Sequence, residues 1–469
     1  MGKQGFRAGV SRFFRSLLRV GSGERETNTS AKHISGSTAY TFGSSEESTL
    51  VDCDAICHIQ RLPDPVLGAI FALSKDAVEK EPPPRRAVRP VERVVSQVAV
   101  RWRVVALGLP ELWSSVDARV RPDHQRTLLE WYLTHAENRP LDVSISLSQE
   151  NWDTEGKEIL RMVLAEVRRL RRLAIRTDFL AGDTAVREAC QYVCAPVLEH
   201  LSLISLEVPR SRRDPGDYIY DEDFGTMVFT RGLPRLAVLR LQHLEGAAYP
   251  PLDSVTTLHL EEYHCPPMAH TRLSALIRAM PALVNLSLYG CVVANWPMEG
   301  ALYVPHLRAL RCALRGGERR MLDALNAPVL EELTLKDVRA TELWGGFGRR
   351  LPALRKLTLD GEVDARALAT VFRELGSVEE LWVVNCGADR ALRMLALGGP
   401  GRVLLGLRKV MVHWVWNSAA LDSVSARGLE IFVHDDVPWA GGAGRWTALP
   451  PWPTELDRVD PDDLFMQLH

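Results

Sequence analysis

The chain has 469 residues, which is long enough for several domains or a repeat array rather than one compact core. Hydrophobic residues make up 46% and charged residues 25%, as is typical of globular proteins. The formal net charge is -2, without the basic excess that nucleic-acid-binding proteins usually carry, so nucleic acid is not an expected partner. No stretch reaches the roughly eighteen continuous apolar residues of a membrane-spanning helix.

The cysteines are spread along the chain without a dense cluster. Cys53 with Cys57, and Cys190 with Cys194, stand four apart, whereas zinc-binding pairs usually stand closer together. We therefore expect buried, reduced cysteines, as in cytoplasmic or nuclear proteins, and no disulfide framework. The sequence predicts neither a metal site nor a cofactor.

The first 50 residues are predicted to be a disordered tail that contains a basic amphipathic helix. Between Phe6 and Val20, apolar residues recur at helical spacing and arginines fall on the opposite face. Residues 21–48 are rich in Ser, Thr, Gly and Glu, so they can bury too little apolar surface to fold. The helix is compatible with contact to a membrane or an organelle. We favour the alternative, a tail helix without a function of its own.

Two helices are predicted after the tail. In RLPDPVLGAIFAL, residues 61–73, Asp64 can cap a helix whose first turn suits the following proline. A second helix is predicted in RVVSQVAVRWRVVALGLPELWSSV, residues 93–116, ending at Gly108 and Pro110. Such apolar stripes at helical spacing predict a core between the two helices. The stripe of the second helix comprises Val94, Val95, Val98, Trp102 and Val105.

In this order, the two segments resemble the F-box of mushroom-forming fungi. The shared features are a leucine-proline start, an isoleucine-phenylalanine end of the first helix, an arginine-tryptophan-arginine core and the closing PELWSSV of residues 110–116. Residues 128–147, LLEWYLTHAENRPLDVSISL, are similar to the connecting helix, turn and strand of the same proteins. The resemblance covers about residues 59–147. The chain departs from the family pattern at Pro65, at Ala99 and Val100, and in a Pro-, Glu- and Arg-rich insertion of residues 74–90.

An F-box implies a partner, the Skp-family adaptor of a cullin–RING ubiquitin ligase. In the family, the paired helices leave part of their apolar surface uncovered until the adaptor packs on it. The resemblance therefore implies a set of adaptor-binding residues on the two helices and the closing segment. They are Leu62, Pro63, Val66, Leu67, Ile70, Phe71, Val95, Val98, Trp102, Leu112 and Trp113.

The spacing L-x-x-L-x-L recurs through the rest of the chain and is typical of leucine-rich repeats. Between Leu283 and Val378, successive copies begin about 23 to 24 residues apart. Each copy predicts a short parallel strand followed by a helix or crossover, such as residues 272–280 and 367–375, and residues 210–232 predict an inserted loop. Clear copies begin at Leu198, Leu236, Leu283, Leu330 and Leu354, and weaker ones at Leu170, Val255, Leu307, Val378 and Leu407.

The fold class predicted is α/β, a small helical F-box domain followed by an irregular leucine-rich-repeat solenoid. The solenoid is expected to be a curved parallel sheet with helices on its convex side. The predicted domains are a tail at residues 1–50, the F-box at 55–120, a linker helix and first strand at 121–165, the repeats at 166–435, and a C-terminal cap or tail at 436–469.

Residues between the strand leucines are predicted to project from the concave side, because side chains alternate along a strand. We predict that a protein substrate binds there. Trp382 is the expected anchor, because an exposed aromatic side chain is costly unless a partner covers it. The predicted substrate-binding residues are His200, Arg240, His259, Ser287, Tyr289, Arg311, Thr334, Lys356, Thr358 and Trp382.

No catalytic motif is found: no phosphate-binding glycine loop, no His-Glu-x-x-His pair and no Gly-x-Ser-x-Gly elbow. The sequence therefore predicts a non-enzymatic subunit that recognises the substrate of a Skp–cullin–F-box ubiquitin ligase, located in the cytoplasm, the nucleus or both. The alternative is a non-catalytic leucine-rich-repeat scaffold, held at a membrane by the N-terminal helix and without a ubiquitination role.

Overall fold

A computed structural model describes part of the chain. The basic helix predicted at residues 6–20, the linker at 21–48, the crossover at 367–375 and the tail at 436–469 lie outside the described residues. The described residues are 58–79, 90–118, 125–205, 227–242, 249–262, 267–293, 295–296, 302–314, 318–335, 351–360, 376–384, 392–393, 395, 406–413, 424 and 429–434. Within these ranges, no helix combines the length and the apolar character that crossing a membrane requires.

The chain divides into two compact units. The first comprises Met1–Ser114 and Leu133–Glu137, and the second comprises Ser115–Tyr132 and Asn138–His469. We call the described part of the first the helical unit and that of the second the repeat array.

The helical unit is built from short helices around aromatic side chains. Helix α1 spans Asp64–Glu79, α2 spans Val91–Val98 and α3 spans Val100–Leu107, and a 3₁₀ turn follows at Pro110–Trp113. The rings of Phe71 and Trp102 pack with their centroids 5.1 Å apart, so α1 and α3 share one core. Helix α1 includes the first six residues of the predicted insertion, and residues 80–89 are not described.

The predicted second helix is wrong in one respect, because it is two helices. Ala99 adopts an extended conformation, with φ -154° and ψ 158°, between α2 and α3. The side chain of Arg103 donates a hydrogen bond of 2.8 Å to the carbonyl of Ser96, and so satisfies one acceptor that the end of α2 leaves open. Val98 is the last residue of α2, and its side chain is exposed.

The repeat array holds one long parallel sheet whose described strands follow the order of the chain. Thirteen strands pair side by side, each parallel to its neighbours, and β8 and β10 form a separate parallel pair. The strands are β1 Ser115–Asp117, β2 Leu141–Leu147, β3 Leu170–Thr177, β4 His200–Ser205, β5 Val238–Gln242, β6 Thr257–Glu262, β7 Asn285–Gly290, β8 Leu302–Tyr303, β9 Ala309–Leu314, β10 Leu325–Asn326, β11 Glu332–Leu335, β12 Lys356–Asp360, β13 Glu380–Val384, β14 Lys409–His413 and β15 Glu430–His434.

Each of the ten predicted repeat copies falls on a strand of this sheet, which confirms an α/β array of the leucine-rich-repeat type. The leucines at the last two positions of each motif pair in register from strand to strand, as Leu333 does with Leu357 and Leu335 with Leu359. The sheet also contains β1, β2 and β15, which carry no predicted copy of the repeat motif. Strand β1 lies within the segment predicted to close the F-box, yet it pairs with β2.

A turn precedes most strands, and the first leucine of the repeat motif is the last residue of that turn. The backbone N–H of that residue donates to the carbonyl three residues earlier, as Leu283 does to Met280 and Leu354 to Leu351. The residue after the acceptor is often proline, as at Pro281 and Pro352, whose fixed φ suits this turn position. Both ends of each turn are buried, so the turn is part of the core.

Helices and irregular crossovers connect the strands. The predicted crossover helix at residues 272–280 is confirmed as α7, His270–Arg278, and the predicted helix and strand of residues 128–147 are confirmed as α4, Gln125–His135, and β2. The predicted inserted loop is described only from residue 227 onward. Beyond α1 to α3, the described helices are α4 Gln125–His135, α5 Lys157–Ala165, α6 Leu180–Cys190, α7 His270–Arg278 and α8 Glu318–Ala324.

Candidate functional site

A hydrogen bond and a ring contact fix Trp113 in the helical unit. The Nε1 of Trp113 donates to the carbonyl of Ala106 at 2.8 Å, and its ring lies 5.4 Å from that of His135. Lys75 is buried, and its Nζ donates to the carbonyl of Leu112 at 2.6 Å. These contacts hold the 3₁₀ turn of Pro110–Trp113 against α1 and α3.

The predicted adaptor-binding residues divide into two groups. Pro63, Val66 and Val98 are exposed, and Leu62 and Ile70 are half-buried. The other six belong to the core of the unit and cannot be part of a contact surface as they stand. Their adaptor-binding role stays a prediction, but in this structure they support the surface from within. The buried six are Leu67, Phe71, Val95, Trp102, Leu112 and Trp113.

Two further valines are the most exposed large apolar residues of the helical unit. Val100 is 75% exposed and Val104 is 66% exposed, compared with 43% for Val66 and 47% for Val98. Val100 and Val104 stand four apart, on the face of α3 opposite to the buried Trp102. Sequence reasoning missed them because it treated residues 93–107 as one helix with one apolar face. The sequence pattern that would have identified them is a helix whose valines lie on the side away from its tryptophan.

Arg101 links the start of α3 to the start of α1. The Nε of Arg101 lies 2.8 Å from Oδ1 of Asp64, and its Nη2 also donates to the carbonyl of Leu62. The tie holds the N-terminal ends of α1 and α3 together. Val66 and Val100 are both within two residues of it, so they lie at the same end of the helical unit.

The repeat array presents a second candidate site on one face of its sheet. We call the polar face the side that carries the residues between the strand leucines. Its central row runs in register across neighbouring strands, from Ser202 on β4 to Trp382 on β13. The predicted substrate-binding residues that form consecutive members of this row are Arg240, His259, Ser287, Arg311, Thr334, Thr358 and Trp382.

The expected exposure of these side chains is wrong for most of them. Arg311, Thr334 and Lys356 keep intermediate exposure. One reason for the burial is that neighbouring strands in a parallel sheet bring side chains of the same face into contact, as the diagonal pair His259 and Tyr289 shows, with ring centroids 4.8 Å apart. Their role in substrate binding stays a prediction. The buried ones are His200, Arg240, His259, Ser287, Tyr289, Thr358 and Trp382.

A buried charged cluster occupies the polar face at β4 to β7. Nη2 of Arg240 lies 2.7 Å from Oε2 of Glu261, and Nε2 of His259 lies 3.8 Å from the same oxygen. Burial acts to raise the pKa of Glu261, but the approach of His259 and the charge of Arg240 outweigh it and lower the pKa to about 2. Glu261 is therefore ionised at neutral pH. It was not among the predicted binding residues, although its place two residues after His259 assigns it to the same face.

His200 lies beside this cluster with its side chain almost fully buried. Burial, together with the charges of Arg172 and Arg240 and the nearby His259, lowers the pKa of His200 to about 3. Its imidazole is therefore neutral at physiological pH. Arg172 is the direct neighbour of His200 across the β3–β4 pair.

The C-terminal strands carry a ladder of alternating charges around Trp382. Glu332, Lys356, Glu380 and Lys409 pair in register on β11 to β14. Lys356 Nζ lies 3.4 Å from Glu332 and 4.7 Å from the centroid of the Trp382 ring, and Lys409 Nζ lies 5.9 Å from that centroid. Trp382 is buried between two lysine side chains rather than exposed as expected. Its strand register is as predicted.

A cleft of about 520 Å³ lies at the starts of the strands from β11 to β14. Glutamates and arginines alternate around it, because Glu331, Arg355, Glu379 and Arg408 each stand immediately before one of these successive strands. Among the described residues, no group of three or more His, Cys, Asp or Glu side chains is arranged to hold a metal ion.

No protein-family model matches the chain, and no curated protein matches it. Solved structures show distant similarity. The complex of Rad7 and Elc1 in yeast has a TM-score of 0.33 and 14% identity, over 82% of this chain and 94% of that chain. The complex of TLR13 with ssRNA13 has a TM-score of 0.24 and 13% identity, over 58% of this chain and 48% of that chain.

Proposed function

We propose that the protein is the substrate-recognition subunit of a Skp–cullin–F-box ubiquitin ligase. In this proposal the helical unit binds the Skp-family adaptor and the polar face of the repeat array binds the target protein. Ubiquitin transfer itself belongs to other subunits, and the complex acts in the cytoplasm, the nucleus or both. Two arguments support it, the F-box resemblance of residues 59–147 and the surface of the helical unit.

The observation that carries the proposal is a set of exposed valines on the helical unit. Val66, Val98, Val100 and Val104 remain exposed, whereas Trp102 and Trp113 are buried in its core. Fully burying a valine side chain contributes about 1.5 to 3 kcal/mol, so covering even part of this surface would supply several kcal/mol of binding free energy. Exposed apolar patches of this kind mark sites of protein interaction.

The test is binding of the full-length chain to a purified Skp-family adaptor. We expect the double substitution Val100→Glu with Val104→Glu to abolish adaptor binding, because both side chains point to solvent and the charges would be buried by the partner. Folding should be preserved, since neither valine belongs to the core. Calorimetry gives the affinity and circular dichroism checks the fold.

The matched control is Val329→Glu. Val329 is an exposed valine of the repeat array, at 41%, and gains the same charge outside the helical unit. The control should bind the adaptor as the wild type does. If the folded wild type does not bind the adaptor, or if the double variant binds as well as the control, the proposed function is wrong and a scaffold role without ubiquitination takes its place.

A further inference from the structure

Four residues of alternating charge line the cleft at the starts of β11 to β14, and we call them the cleft row. They are Glu331, Arg355, Glu379 and Arg408. The backbone N–H of each later member donates to the carbonyl of the member before it, at 2.8 to 2.9 Å, which holds the row in line across the strands. Within the described ranges, none of the four side chains makes an ion pair or a hydrogen bond. Their charges are therefore available to a ligand.

The next residue along the chain after each member of the cleft row belongs to the charge ladder around Trp382, and its charge is already used. Nζ of Lys356 lies 3.4 Å from Oε2 of Glu332, and Nζ of Lys409 lies 3.7 Å from Oε1 of Glu380. The cleft row repeats the same order of signs at the cleft. Its two arginines are exposed and its two glutamates are half-buried, so a ligand in the cleft can reach all four.

The rest of the cleft is lined mostly by small residues from the turns before β12, β13 and β14. Gly376 adjoins open space, because a Cβ added there would meet no atom within 4 Å. The backbone of a ligand can therefore approach the backbone of the protein closely at this position. The other lining residues are Pro352, Ala353, Ser377, Gly406 and Leu407.

The spacing of the cleft row fits an extended polypeptide. Neighbouring strands lie about 4.8 Å apart, so the four charges span about 14 Å, the length of about five residues of an extended chain. Like charges of the row are about 10 Å apart, and so are residues i and i+3 of such a chain. A nucleic acid is disfavoured, because the two glutamates would repel its phosphates.

We propose that the cleft binds an extended segment of the target protein with the pattern Lys-Asp-x-Lys-Asp, in which Arg can replace Lys and Glu can replace Asp. This inference rests on the proposed function for the identity of the ligand as a target protein. Glu331 and Glu379 bind the two basic side chains, and Arg355 and Arg408 bind the two carboxylates. The alternation gives specificity, because a segment with charges of one sign meets a like charge at two of the four positions.

The experiment measures binding of fluorescently labelled peptides to the full-length chain by fluorescence anisotropy at low salt, where exposed charges are least screened. Two peptides of the same composition are compared, Gly-Ser-Lys-Asp-Gly-Lys-Asp-Gly-Ser and Gly-Ser-Lys-Lys-Gly-Asp-Asp-Gly-Ser. We expect the first, alternating peptide to bind at least about fivefold more tightly, because the second places two like charges against the cleft row. Equal affinities, or no binding of the alternating peptide, would overturn the proposal.

Charge reversal tests which residue each charge of the peptide contacts. Arg355→Glu should weaken binding of the alternating peptide at least about fivefold, and a peptide with Lys in place of its first Asp should restore binding to this variant. Arg235→Glu is the matched control, because Arg235 is an exposed arginine in the turn before β5 and does not line the cleft. It should change affinity less than about twofold. Equal weakening by the two variants would mean that net charge alone governs binding, and the proposal would be wrong.

Gly376→Leu fills the cleft without changing a charge. It should weaken binding of the alternating peptide at least about tenfold by steric exclusion and leave the urea midpoint unchanged, because its side chain enters open space. Gly376→Ala is the control of smaller size and should bind within about twofold of the wild type. If folded Gly376→Leu binds as tightly as Gly376→Ala, the peptide does not occupy the cleft.

Adaptor binding is measured on the same samples, which separates this inference from the proposed function. If the adaptor binds and the alternating peptide does not, the cleft site is wrong and the receptor function stands. If the alternating peptide binds as expected and the adaptor does not, the cleft stands as the ligand site of a scaffold and the receptor function is wrong.

Discussion

Arg240 and Glu261 form an ion pair of 2.7 Å in which the two side chains are only 5% and 6% exposed. Removing one partner of such a pair leaves the other charge buried and uncompensated. We expect Glu261→Gln to lower the free energy of unfolding by about 3 to 5 kcal/mol at pH 7. Urea denaturation followed by circular dichroism measures the change.

Two comparisons test whether the buried charge causes the loss of stability expected for Glu261→Gln. Glu158→Gln removes the carboxylate of a solvent-exposed ion pair with Arg161 and should leave the free energy of unfolding unchanged. Arg240→Met combined with Glu261→Leu removes both charges and should recover most of the loss, since apolar replacements of a buried pair are often tolerated. A Glu261→Gln variant as stable as Glu158→Gln would contradict the burial of this pair.

His200 should make the array sensitive to mild acid. Its pKa is about 3 in the folded chain and about 6.5 when exposed, so below pH 6.5 the unfolded chain binds a proton that the folded chain does not. Protonation therefore favours unfolding. The contribution to stability is fully present above pH 6.5 and declines as the pH falls toward 3, by about 1.4 kcal/mol per pH unit within that window.

The measurement is the free energy of unfolding between pH 7 and pH 5, a range chosen because Glu261 adds its own loss only below about pH 4.5. We expect His200→Gln to flatten the decline, because glutamine takes up no proton. Exposed His306 offers the control substitution, His306→Gln, which should leave the slope as in the wild type. Equal slopes for wild type and His200→Gln would show that His200 is not buried in its neutral form.

The strands of the array were predictable because the regular spacing of leucines shows which side of each strand is buried. Leu357 and Leu381 pair in register as their motifs require, and so do the other motif leucines. Strands β1 and β15 were missed because the first motif position, three residues before Val116 and Ile431, holds Trp113 and Gly428 instead of leucine or valine. Strands at the edges of the array can form without the complete motif.

The candidate sites were less predictable because exposure depends on what neighbouring chain segments cover. The sequence places Trp382 on the polar face, but its burial depends on Lys356 and Lys409, which come from motifs about 25 residues away on either side. In the helical unit, the apolar stripe of the second predicted helix identified one face only. Val100 and Val104 lie opposite to it and are exposed, so nothing in the stripe indicated them.

Trp382 should contribute to stability as a core residue does. We expect Trp382→Ala to lower the free energy of unfolding by about 3 kcal/mol, within the range of Leu357→Ala at about 2 to 5 kcal/mol, because both side chains are buried. Lys356→Met keeps the apolar stem over the ring and removes the charge. It should cost about 0.5 to 1 kcal/mol, the size of a cation–π contact.

Urea denaturation of the three variants measures these differences, with Thr334→Ala as a control on the same row. Thr334 is only partly buried, and its substitution should change stability by less than about 0.5 kcal/mol. If Trp382→Ala were as mild as Thr334→Ala, the ring would be an exposed side chain available to a target, as the sequence had predicted.

Gly406 and Gly376 give a paired test of how closely the last repeats approach each other. A Cβ added at Gly406 would lie 2.9 Å from the carbonyl oxygen of Gly376, a backbone atom that cannot rotate away, whereas a Cβ at Gly376 would meet nothing within 4 Å. Gly406→Ala should therefore force β13 and β14 apart and cost about 1 to 3 kcal/mol of stability. Gly376→Ala should be neutral or stabilise by up to about 1 kcal/mol, since it restricts the unfolded chain.

Urea denaturation compares the stability of the two variants, and hydrogen exchange of the β14 amides locates the effect of Gly406→Ala. Equal stability of the two variants would mean that the strand starts at β13 and β14 are further apart than the structure places them.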